Sequence, residues 1–105
     1  MASFHKLEFY VPEAHAEAVK AAVFAAGAGR IGNYDRCCWQ VSGRGQFRPL
    51  EGSDPALGRH GETEAVAEAK VETVCAPERL AEVIAALKAA HPYEAPAFQH
   101  WPVEG

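Results

Sequence analysis

Two stretches of this sequence hold side chains that could do chemistry together. In His91-Pro92-Tyr93-Glu94 an imidazole, a phenol and a carboxylate fall within one short run, and the proline fixes a backbone bend that could hold them close. Such a corner suits a small ligand, or a divalent metal held by His91 and Glu94. One imidazole and one carboxylate fall short of the three or four ligands of a zinc site, so a metal would also need His60 or a cysteine from a neighbouring subunit. Ordinary roles weigh more: His91 as a helix C-terminal cap, Tyr93 packed on a sheet, Glu94 paired with a basic neighbour.

The second stretch runs from Gly43 to Gly61, where Arg44, Arg48, Arg59 and His60 stand among glycines, with Phe47 beside them. Guanidinium forks and exposed backbone N–H groups suit a phosphate or carboxylate, so a small anion is the ligand this loop suggests. It is neither a P-loop nor a dinucleotide fingerprint, because no Gly-Lys-Ser/Thr occurs and the glycines open no helix. Contact with a neighbouring subunit is the competing reading. The loop thus contributes Arg44, Phe47, Arg48 and His60 to the candidate ligand-binding set, and the corner contributes His91, Tyr93 and Glu94.

Other chemistry-bearing residues carry less. Gly27-Ala28-Gly29-Arg30-Ile31-Gly32-Asn33 is glycine-rich, yet it follows a helix and precedes a strand, whereas phosphate cradles precede a helix. A helix stop and a tight turn account for it. Cys37 and Cys38 are adjacent, so on a strand one thiol faces the core and the other stands alone. His5, His15 and His100 are scattered. No Ser/His/Asp or Cys/His signature is present, and no catalytic residue is assigned.

The elements that must position these groups follow from periodicity. Leu7, Phe9 and Val11 alternate with Lys6, Glu8 and Tyr10, which predicts a half-buried strand over 6–11. Pro12 and Glu13 suit a helix start, and Ala18, Ala22 and Ala26 with Val19 and Val23 give the helix an apolar stripe until Gly27. A second strand is predicted over 34–42, a long irregular loop over 43–62, and a third strand over 67–75 with Ala67, Ala69, Val71, Thr73 and Cys75 on one face. After Pro77, Leu80, Val83, Ile84 and Leu87 form a stronger amphipathic helix that ends at His91-Pro92. Residues 97–103, with prolines at and near them, suit a short edge strand.

The halves resemble each other: Lys6-Leu7-Glu8 then Pro12-Glu13 matches Lys70-Val71-Glu72 then Pro77-Glu78. Each half alone leaves a helix stripe and a sheet face bare. The expected fold is therefore α+β, a ferredoxin-like βαββαβ sandwich with one antiparallel sheet and two helices on one face. The other sheet face, with Tyr10, Trp39 and Trp101, is left for water or another subunit.

At 105 residues and 49% apolar composition the chain is sized for a single domain, 1–105. A net charge of -4 without a dense Lys/Arg run argues against nucleic acid. Three cysteines in no even framework read as reduced thiols. The start, Met1-Ala2-Ser3-Phe4-His5-Lys6, holds no apolar signal region, and no run approaches the ~20 apolar residues of a membrane span. A cytoplasmic protein is expected.

Gly27-Ala28-Gly29-Arg30-Ile31-Gly32-Asn33-Tyr34-Asp35, Gly43-Arg44-Gly45-Gln46-Phe47-Arg48-Pro49 and His91-Pro92-Tyr93-Glu94-Ala95-Pro96-Ala97, in that order, resemble the insert domain of the Nif-three-like (YqfO) family over nearly the whole chain. His-Pro-Tyr-Glu followed by Pro is also similar to the CutA divalent-ion-tolerance family. The resemblance implies a PII-like fold and a standalone copy of a domain that elsewhere interrupts a dimetal-binding protein of the GTP cyclohydrolase homologue group. The dimetal ligands of that family lie outside the insert, so neither the metal pair nor a hydrolase activity is carried onto these residues. Ala95 and Phe98-Gln99 depart from the acidic residues common in the family. By analogy with PII proteins, the long loop would serve partner contact.

These readings rank a non-enzymatic, homo-oligomeric (dimeric or trimeric) binding or regulatory module first, with its ligand pocket between subunits. A CutA-like divalent-metal-binding protein is the alternative, and a nucleotide hydrolase comes third.

Overall fold

The computed structural model describes residues 3–105. Met1 and Ala2, which open the N-terminal segment read above, lie outside the described residues. The chain forms β1 (Phe4–Pro12), a 3-10 turn (Glu13–His15), α1 (Ala16–Ala25), β2 (Cys38–Phe47), β3 (Glu64–Cys75), a second 3-10 turn (Pro77–Arg79), α2 (Leu80–Ala90) and β4 (Phe98–Val103). The strands make one sheet in the order β2-β3-β1-β4, every pairing antiparallel. This is the α+β arrangement that the duplicated pattern predicts. No helix among the described residues is long and apolar enough to cross a membrane.

The alternation in β1 and β3 sends Leu7, Phe9 and Val11, and Ala69, Val71 and Cys75, to the helix-covered face, where Val19 and Val23 of α1 and Val83 and Leu87 of α2 complete a sealed core. Each fully buried Val, Leu or Phe contributes roughly 1.5–3 kcal/mol by leaving water, which is what holds the two helices on the sheet. Thr73 also lies in the core, its hydroxyl donating to the Cys37 carbonyl at 2.7 Å, so its burial leaves no polar group unpaired. In α1 the buried stripe is Ala16, Val19 and Val23, and Ala18 is exposed. Ala18 lies one helical step, about 100°, from Val19 and so falls off the buried stripe, while Ala26 packs against the core as expected.

The repeated Lys-x-Glu tripeptides meet on the open face. Antiparallel register sets Glu8 opposite Glu72, which brings each lysine diagonally to the other strand's glutamate: Lys6 to Glu72 at 3.5 Å and Lys70 to Glu8 at 3.4 Å. Trp39 and Trp101 flank this patch, 61% and 40% exposed, as expected of an uncovered face; Tyr10, expected with them, is only half-exposed.

Two boundaries differ from expectation. The second strand begins at Cys38, not at residue 34, because Ile31 and Tyr34 close a turn on each other and Arg36 takes a left-handed backbone (φ 56°). It then runs on through residues 43–47, read above as loop, which pair with Glu64–Glu68. Gly43 and Gly45 hide a strand pattern here, and the ladder with β3 overrides their weak strand preference. The Gly27–Gly29 segment is the expected helix stop. Gly29 (φ 82°) donates to the Val74 carbonyl at 2.7 Å and accepts from the Cys37 N–H at 2.9 Å, leaving no space for a side chain between Phe24 and Cys37.

Candidate functional site

β1 stops at Pro12, opposite Glu68, while β2 and β3 continue past it as a two-stranded ribbon to Phe47 and Glu64. The step where three strands become two leaves a hollow. The loop after β2 and the crossing from α2 to β4 border it, leaving a half-open cavity of about 410 Å³. One chain is enough to line it.

The end of the ribbon supplies one wall of the cavity. Gly45, Gln46 and Phe47 line it. Beside them on β3 stands Glu68, whose carboxylate lies across Gly45; a Cβ there would make the flexible end of Glu68 move aside. The Tyr93 ring meets Phe47 edge-on at 5.5 Å, and its hydroxyl faces Glu68 Oε2 at 3.4 Å. Burial, then the charge and hydrogen bond of Glu68, then Glu64, push the Tyr93 phenol up to about 12. At neutral pH it is a proton donor to a hydrogen bond and not a base. Tyr10, Pro55 and Leu57 add apolar wall.

His91 is buried behind Tyr93. Its Nδ1 accepts the Tyr93 N–H at 3.1 Å, so the proton of the neutral ring sits on Nε2, which donates to the Tyr10 carbonyl at 2.7 Å. Burial lowers the His91 pKa, with the Tyr10 carbonyl and Glu68 opposing, and the neutral ring is the form this geometry requires. His91 does end α2, its N–H returning to the Leu87 carbonyl, but its ring ties the corner to β1 instead of capping helix carbonyls. Glu94 Oε2 accepts the Asp54 N–H at 2.6 Å, latching the loop to the corner in place of the basic partner expected for it. His60 Nε2 donates to the Ser53 carbonyl at 2.9 Å, and the Gly61 N–H to the Pro49 carbonyl at 2.7 Å, which fold the loop onto itself.

Of the residues singled out from sequence, Phe47, Tyr93 and Glu94 meet at the cavity, His91 stands behind it, and His60 braces the loop. Arg44 and Arg48 are exposed and do not line it. The cavity therefore has the wrong sign for the small anion that the arginines suggested. The pairing of His91 with Glu94 as metal ligands also meets an obstacle: both ring nitrogens of His91 are hydrogen-bonded, and Glu94 holds the loop. Among the described residues no three of His, Cys, Asp and Glu are grouped to hold a metal. Cys37 is half-exposed, Cys38 is exposed, and the core cysteine is Cys75, whose thiol burial pushes up. Neither of the adjacent pair reaches the core because β2 is an edge strand that begins only at Cys38. Glu68, Tyr10 and Leu57 were missed; the alternation of β3 marked Glu68 as facing away from the core, but nothing local marked it as covered.

No family model matches the chain. It is 54% identical over 97 residues to the GTP cyclohydrolase 1 type 2 homolog of Mycobacterium tuberculosis, covering 92% of this chain and 26% of that protein. The Bacillus subtilis homolog of the same name is 44% identical over 99 residues, covering 94% and 26%. The chain spans about a quarter of the length of the curated relatives it matches. In structure it matches the Bacillus cereus protein related to NIF3 with a TM-score of 0.83 at 38% identity, over 99% of this chain and 26% of that one. The divalent cation tolerance protein CutA of Archaeoglobus fulgidus gives a TM-score of 0.66 at 20% identity, over 97% and 85%, a likeness of fold alone. By sequence and fold together, the chain is similar to a segment of about a quarter of the length of the GTP cyclohydrolase 1 type 2 homologs and of the protein related to NIF3, and its fold is like that of the CutA proteins.

Proposed function

We propose that this domain is a non-enzymatic, homo-oligomeric binding or regulatory module that takes a small ligand into the cavity beside Tyr93, near where subunits meet. The observation that carries the reading is the cavity itself. At about 410 Å³ it falls in the range of small-molecule sites, and its walls are mainly apolar and aromatic with a few convergent polar groups. Its one perturbed phenol is held protonated, which suits recognition better than proton abstraction. Trp39 and Trp101 on the uncovered sheet face support assembly, since exposed aromatic patches mark contact surfaces. Free thiols at Cys37, Cys38 and Cys75 support a cytoplasmic setting.

Light scattering on the eluting protein should give a dimer or trimer at micromolar concentration; a clean monomer removes the oligomeric part. A neutral aromatic probe, tryptophol, followed by NMR should shift Phe47, Leu57 and Tyr93 together. Phe47→Ala should weaken it about tenfold, as expected for loss of an aromatic wall. Shifts scattered elsewhere would remove the site. Turnover of GTP with added divalent metal would overturn the non-enzymatic part.

A further inference from the structure

Glu68 is a carboxylate without a countercharge. No lysine or arginine among the described residues forms an ion pair with it, and its one hydrogen-bond partner, the Tyr93 hydroxyl, stands at a loose 3.4 Å. It is half-buried at the edge of an apolar cavity, where an unpaired charge is costly unless something neutralises it. The other acid at the rim, Glu94, uses Oε2 for the loop, and no basic residue lines the cavity. Phe47 and Tyr93 supply aromatic faces and edges close to Glu68, whose carboxylate lies across Gly45.

Resting on the reading of this cavity as a ligand site, we propose that its ligand is a flat apolar ring system bearing an amine or amidine cation, the ring stacking among Phe47, Leu57 and Tyr93 and the cation meeting Glu68. The pairing completes the carboxylate with a charge-assisted hydrogen bond, and the aromatic walls favour a cation near their faces. The Tyr93 hydroxyl, protonated at neutral pH, faces Glu68 at 3.4 Å and leaves it free for a stronger partner. A ligand bearing a carboxylate or phosphate is repelled by both Glu68 and Glu94.

Three probes of one shape test this on the full chain: tryptamine, tryptophol and indole propionate, carrying a cation, a neutral hydroxyl and an anion on the same ring. Calorimetry should give tryptamine at least ~10-fold tighter than indole propionate, with tryptophol between. Glu68→Gln should bring tryptamine and tryptophol to within about twofold while tryptophol keeps its wild-type affinity, which shows the cavity still formed. Equal binding of all three probes, or a cation preference that survives Glu68→Gln, overturns the ligand class and leaves the cavity's role as a ligand site standing. Binding of none of them sinks both.

Discussion

In the middle of the open sheet face, the carboxylates of β1 and β3 each have an ammonium beside them, Glu72 with Lys6 and Glu8 with Lys70. Further along the same face, Glu68 has among the described residues only a phenol. The hydrogen bond and charge of Glu8 raise the Lys70 pKa, whereas the charge of Glu68 falls on Tyr93 and helps raise a neutral group. The paired region comes from the repeated Lys-x-Glu, which crosses on itself whenever the two halves lie antiparallel. At Glu68 the partner position on β1 is Pro12, where the strand stops, so the repeat has nothing to offer. Charge is balanced where the duplicated halves overlap and left over where one outruns the other, and the leftover charge sits at the cavity.

That contrast can be broken at several points. His91→Ala should cost the most, about 2–4 kcal/mol by urea denaturation, because it empties a buried site and strands the Tyr10 carbonyl and the Tyr93 N–H. A loss as small as that of a surface ion pair would mean the corner is not braced by this ring. The pH dependence follows from the same residue. Its folded pKa lies below the ordinary 6.5, so the unfolded chain takes up the proton first. Stability should be full above 6.5 and fall as pH drops through that value toward the folded pKa, and the His91→Ala protein should lack this part of the slope. Glu94→Ala, next in size, should raise amide exchange at Asp54 about tenfold with little change in melting temperature, since only the loop latch is lost. Unchanged exchange would show the loop held by its own contacts alone. Lys6→Met should cost least, about 0.2–1 kcal/mol and less in high salt, as a partly exposed ion pair does. A larger cost would mean that the paired patch is itself covered, as in a subunit interface.

Much of the fold was legible because it is written in short-range periods. The alternation of Leu7, Phe9 and Val11 and the spacing of Val83 and Leu87 each name a buried face without knowledge of the partner. Residues 43–47 were not legible as strand, because two glycines and an arginine carry no β signal and only the ladder with Glu64–Glu68 makes them extended. The site was legible in part. Phe47, Tyr93 and Glu94 are named by the sequence and converge, but Arg44 and Arg48 are named on charge alone, and the extended course of residues 43–47 that leaves them outside the cavity lining carries no local signal.

By itself the sequence determined two strand-helix halves with a greasy side each, and a corner dense in hydrogen-bonding groups. Only the tertiary structure decided that His91 would reach back 81 residues to Tyr10, Tyr93 25 residues to Glu68, and Glu94 40 residues to Asp54. Periodicity is a property of neighbours along the chain and can be read there. Which acid ends up without a cation depends on the register between distant strands, and that is settled only when the core aligns them.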